Sequence, residues 1–146
     1  MATTDERIVQ ADGRAKVYRP LPPEARAEAV HAGFRHYEAG ESFEAHEAWE
    51  PAWMGTDDLA ERALLQGLIK IAAAEVHGSR GNAAGVVRNL EGALDRLRYA
   101  RAAGCAAAPG AVIDLDALIA RGDERLATAR SGDPGRSIVI PWRPEP

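Results

Sequence analysis

The sequence predicts an all-α protein, a compact bundle of about five helices in antiparallel hairpins. Three observations carry this. Apolar residues recur three and four positions apart through most of the chain, glycine turns of a few residues separate these stretches, and Pro141 opposes a central strand in the one tail segment rich in β-branched residues. With 146 residues there is room for one core and one domain.

Residues 1–22 read as an extended N-terminal arm, because the prolines of "YRPLPPE" disfavour helix in the residues before them. The helical domain follows over residues 23–130. Pro23 suits a first helical turn, Ala27, Val30, Phe34 and Tyr37 share a face, and Gly40 is placed to end the helix. Ser42 is expected to cap a second helix running to about Met54, and Thr56 or Asp57 to cap a third. That third helix, over residues 58–78, carries Leu64, Leu65, Leu68, Ile69, Ile71, Ala72 and Val76. Its apolar face is too wide for a surface helix, which puts it at the centre. Gly78 and Gly81 end it, Asn82 caps a fourth helix to about Ala103, and "DLDALIARGDERLATAR" gives a fifth. Residues 131–146 form an extended C-terminal tail, in which "SIVIPWRPEP" is expected as a short strand or strap.

A weak internal repeat sets Gly40 over Gly81, Trp49 over Leu90, Glu50 over Glu91 and Trp53 over Leu94. Each copy is a small-residue turn followed by a helix with large apolar residues four apart, similar to a tetratricopeptide hairpin but with a longer period. His46 falls over Val87 and lies outside the repeat.

Composition narrows the functional classes. A net charge of −4 and the absence of a basic stretch argue against nucleic-acid binding. Cys105 is the single cysteine, so an intramolecular disulfide is excluded and a reducing compartment is indicated; its Ala/Gly-rich surroundings suit a packing residue. No run approaches the roughly 20 apolar residues of a membrane span, and the N-terminus lacks the apolar core of a signal peptide. The expectation is a cytoplasmic protein with no membrane partner.

The stretch with chemical content is "FEAHEAWEPAW", residues 43–53. Helical spacing groups Phe43, His46, Trp49, Glu50 and Trp53 on one stripe and leaves Glu47 off it. His46 and Glu50, four apart, can bond to each other or chelate one divalent ion. "HEAWE" is not the zincin H-E-x-x-H, since Glu50 stands where the second histidine would be. Pro51 removes a helical hydrogen bond and should loosen the end of this helix. Folding helices two and three about residue 56 sets His46 level with Gln66 and Glu50 level with Arg62. Folding one and two about residue 40 sets Glu50 level with His31 and His46 level with Arg35. The expected pocket therefore lies between helices one, two and three, lined by His31, Arg35, Trp49, Trp53 and Gln66. His77 is eleven residues past Gln66, about 16 Å along the helix, too far to share a metal with His46 unless the helices cross steeply. Gln66, Lys70, Ala73 and His77 make a polar stripe that faces either solvent or a cleft, and the "HGSRGNAAG" turn beside Arg80 offers backbone N–H groups to an anion.

Taken together these residues resemble the domain-of-unknown-function 309 family. The pattern is an aromatic residue with H-E-x-x-E-x-x-W, here Phe43, His46, Glu47, Glu50 and Trp53. Gln66, Gly67 and Leu68 follow, then His77, then Gly81, Asn82 and Gly85. The likeness covers roughly residues 25–100, and Pro51 departs from it. It implies an all-helical bundle and a metal-dependent hydrolase.

Two functional readings stand at this point. In the enzyme reading, His46 and Glu50 are catalytic or metal-ligating residues, holding a divalent cofactor or acting as a base and its orienter in hydrolysis. In the alternative, helical hairpins form a protein-interaction module and the His/Glu pair is a structural network. A lone pair without a third ligand favours the structural role, and a single repeat-like pair of hairpins favours a compact bundle or homo-oligomer over a solenoid. No residue names a small-molecule or peptide ligand.

Overall fold

The computed structural model describes residues 6–10 and 13–145 and is mostly helical. Five helices, α1 (Pro23–Glu38), α2 (Ser42–Met54), α3 (Leu59–Ser79), α4 (Ala83–Ala102) and α5 (Leu115–Arg130), pack as successive hairpins. The central helix is α3, flanked by α2 and α4, with Leu64, Leu65, Leu68, Ile71 and Ala72 buried. No described helix is long and apolar enough to cross a membrane.

The helix ends show why the hairpins are tight. After α1, Gly40 takes φ 79°, its N–H bonds to Tyr37 O, and Glu41 N–H bonds to His36 O. After α3, Gly81 takes φ 72° and the pattern recurs, Gly81 N–H to Gly78 O and Asn82 N–H to His77 O. Both are Schellman closures, which need a left-handed residue that glycine supplies without strain. The repeat seen in the sequence is therefore this shared turn. Asn82 accepts from Gly85 N–H, so it caps α4 as expected. Two other caps differ. Ser42 is the first residue of α2 and makes no capping bond, because the Schellman turn already determines how the chain enters. The cap of α3 is Asp58, accepting from Glu61 N–H, while Thr56 supports it by accepting from Asp58 N–H.

The ends of the chain are more structured than extended segments. Within the arm, β1 (Glu6–Val9) and β2 (Ala15–Tyr18) form an antiparallel hairpin; residues 1–5, 11, 12 and 146 lie outside the described part. The α4–α5 connection holds β3 (Ala107–Ala108) and β4 (Ala111–Ile113), and the tail adds β5 (Trp142–Pro144) on the free edge of β4. Pro141 precedes this edge strand, where a missing N–H costs nothing.

The tail is fastened to the bundle by a buried ion pair. Arg125 of α5 and Glu75 of α3 meet at 2.8 Å with both side chains almost wholly buried. Glu75 Oε2 also accepts from Tyr37 Oη at 3.1 Å and from Ile138 N–H at 2.6 Å. Arg125 donates to Pro134 O and Arg136 O. Ile138 and Ile140 fill the core beneath this lock, and Trp142 stacks on Phe34 with centroids 4.1 Å apart.

Candidate functional site

Helix α2 uses its two sides differently. At about 100° of turn per residue, Trp49 lies to one side of His46 and Glu50 to the other. Trp49 points to α1, is wholly buried, and donates from Nε1 to Val30 O at 3.0 Å. Gly33 makes the space: a Cβ there would sit 2.0 Å from Trp49 Nε1. His46, Glu50 and Trp53 instead face α3 and α4. They line a cleft of about 210 Å³ with Gln66, Ile69, Lys70, Ala73 and Asn89.

This corrects the expected pocket in three places. Trp49 belongs to the α1–α2 core. His31 bonds from Nε2 to Gly110 O at 2.6 Å and packs near Trp142, on the β4–β5 side of α1. Arg35 is exposed and does not line the cleft. The hairpin levels are sound, but α1 lies against the side of α2 that carries Trp49, adjoining the side that carries His46. The third wall is α4, through Asn89. Folding α3 and α4 about residue 81 sets Asn89 level with Ala73, so this wall was accessible to the same reasoning. The polar stripe resolves in favour of the cleft for Gln66, Lys70 and Ala73. His77 departs from it and meets Asn82 Nδ2 through Nδ1 at 3.0 Å.

At the rim of the cleft, His46 Nδ1 lies 3.2 Å from Glu50 Oε1 and 3.4 Å from Oε1 of the exposed Glu47. The three ligand atoms fall within 4.8 Å of one another. Glu47, one residue on from His46, was left off the stripe, but its longer side chain swings back across the intervening angle. Pro51 adds a local effect, since it has no N–H to return to the carbonyl of Glu47. His46 Nδ1 is shielded from solvent yet makes no hydrogen bond of acceptable geometry. His46 Nδ1 thus lies at ion-pair distance from two carboxylate oxygens without a hydrogen bond to either, and the three residues offer ligand atoms that one cation could share.

Trp53 closes the end of the cleft and joins it to the N-terminal hairpin. Its Nε1 donates to Gln10 Oε1 at 3.0 Å, and the Arg62 guanidinium lies over its ring at 5.2 Å. Arg62 is buried and satisfied by neutral acceptors: Gln10 Oε1, Trp53 O, Thr56 O and Val17 O. Burial lowers its pKa from the usual guanidinium value. Hairpin levels set Arg62 beside Glu50 without giving it a role, and no spacing rule links residue 10 to residue 66. Elsewhere, Cys105 is partly buried, bonds to Ala107 O, and has its thiol pKa raised by burial, consistent with a packing residue.

A family model described as Domain of unknown function (DUF309) matches residues 30–89. The match runs from the middle of α1 to the first turns of α4. All eight residues lining the cleft, from His46 to Asn89, fall inside the DUF309 stretch, whereas Gln10 and Arg125 lie outside it. No curated protein and no solved structure matches the chain.

Proposed function

We propose that the cleft is a divalent-metal site and that the protein is a metal-dependent hydrolase acting on a small polar substrate. The observation that carries this reading is His46 Nδ1, shielded, unbonded and directed at Glu47 and Glu50. One imidazole and two carboxylates suit zinc or another borderline divalent ion, and so small a ligand set leaves coordination positions open. A divalent ion supplies Lewis-acid activation of water and of a substrate oxygen. The chain's own contribution is to hold His46 and Glu50 on adjacent turns of α2. Trp53 and Ile69 limit water on one side, and polar groups of α3 and α4 reach the substrate on the other. Metal analysis of protein purified without chelator or nickel resin tests it: about one equivalent in the wild type and loss in His46→Ala is the expected result.

A second reading, a helical-hairpin interaction module, draws support from a different place. A wider cleft of about 840 Å³ runs between the α1–α2 turn and the C-terminal tail, flanked by the exposed apolar side chains of Phe43 and Val139. In that case Phe43→Ser would abolish partner capture and leave metal content unchanged.

A further inference from the structure

The side-chain amides around the cleft have orientations that their partners dictate. Gln10 Oε1 lies 3.0 Å from both Trp53 Nε1 and Arg62 Nε. Both of those nitrogens can only donate, so the oxygen end of Gln10 is unambiguous. Its NH2 group is therefore the end that reaches Gln66, where it donates to Oε1 at 3.3 Å. With its oxygen taken, Gln66 has its NH2 left for the cleft it lines. Asn89 is fixed the opposite way, since its Nδ2 donates to Gly85 O, which leaves Oδ1 as its free end.

From this relay we infer that the α3 side of the cleft, across from His46 and Glu50, offers a donor to an anionic oxygen of the substrate, a carboxylate or a phosphate-like group, with Gln66 as the binding residue. Gln10, on the N-terminal hairpin, is the positioning residue that sets the direction of the Gln66 amide. The inference rests on the metal reading of the cleft: an anion beside Glu47 and Glu50 needs a cation to offset their charge, and the donor wall then holds the far side of the same group. The hairpin thus governs ligand choice without touching the ligand.

Gln10→Glu separates these roles. A carboxylate at position 10 still accepts from Trp53 and Arg62, and gains an ion pair with the latter, but can no longer donate to Gln66. Gln66 then turns its NH2 toward position 10 and its oxygen into the cleft. The experiment titrates sulfate and acetate into the zinc-loaded full-length protein, following the heat of binding by calorimetry in every variant and, where residue 66 is glutamine, its side-chain amide by NMR. Sulfate and acetate distinguish a tetrahedral from a planar anionic group. The wild type should bind at least one of them. Gln10→Glu should weaken that binding by about tenfold, the value of one charge-assisted hydrogen bond, with zinc affinity and melting temperature retained. Gln66→Glu, which removes the donor directly, should give the same loss and covers the case in which Gln10→Glu fails to fold. Anion affinity unchanged in these variants, or a zinc-loaded wild type that binds neither anion, overturns the donor wall alone. A wild type that takes up no zinc overturns the metal reading and the inference with it.

Discussion

Two polar clusters lie on α3 and its neighbours, and they are built to opposite standards. At Glu75, every oxygen has partners: Arg125, Tyr37 and the Ile138 amide, all buried. At His46, the carboxylates are partly exposed and the imidazole nitrogen is shielded without a bond. A buried ion pair survives only when its remaining lone pairs are satisfied, and the Glu75 cluster meets that condition. It is a structural lock on the C-terminal tail. The His46 cluster leaves its bonding capacity unspent at the edge of a cleft, which is what the proposed metal site requires.

The comparison predicts a large difference in stability when each cluster is cut. Glu75→Ala strands Arg125 in the core and should cost about 3–5 kcal/mol in chemical denaturation. An effect below about 1 kcal/mol would mean that the lock contributes little. Alkaline pH attacks the same cluster through Tyr37, whose pKa is raised well above the usual tyrosine value by burial and by the Glu75 carboxylate. The unfolded chain ionises this tyrosine from about pH 10 while the folded one does not. Its contribution is thus complete below that pH and declines by about 1.4 kcal/mol for each further pH unit. Tyr37→Phe should flatten that slope between pH 10 and 11, and an unchanged slope would assign the alkaline sensitivity to other groups.

Smaller effects are expected nearer the cleft. Asn82→Ala removes the cap of α4 and should lower stability by about 1 kcal/mol, read as a reduced denaturation midpoint. Identical midpoints would show that the Schellman turn alone sustains the α3–α4 hairpin. His46→Ala should change stability by less than about 1 kcal/mol, since the side chain is partly exposed and no partner is left stranded in the core. A loss of 1–3 kcal/mol would return the pair to the structural role that the sequence favoured.

The helices were legible because their signals are local. Apolar spacing, the glycines at 40 and 81 and the cap at Asn82 each act within a few residues, and the helical architecture follows from them. The β1–β2 hairpin and the β3–β4 turn were not, because these strands are short and exist only through pairing that no local pattern records, whereas β5 falls in the tail segment expected as a short strand or strap. The cleft was half legible. His46, Glu50, Trp53 and Gln66 follow from helix geometry, whereas His31, Arg35 and Trp49 were placed wrongly because levels along a hairpin do not say which face a neighbour covers. Gly33 settles that face, and its role emerges only once Trp49 is seen against it. Glu47 was passed over because spacing locates a Cβ atom, not the end of a glutamate.

The most direct test of the contrast is zinc titration of metal-free wild type, His46→Ala and Glu50→Gln, with denaturation of the same three samples. The account predicts one zinc equivalent bound by the wild type, at least about tenfold weaker binding in both variants, and metal-free stabilities within about 1 kcal/mol of one another. A wild type that binds no zinc, or variants that lose stability instead of metal, would contradict it.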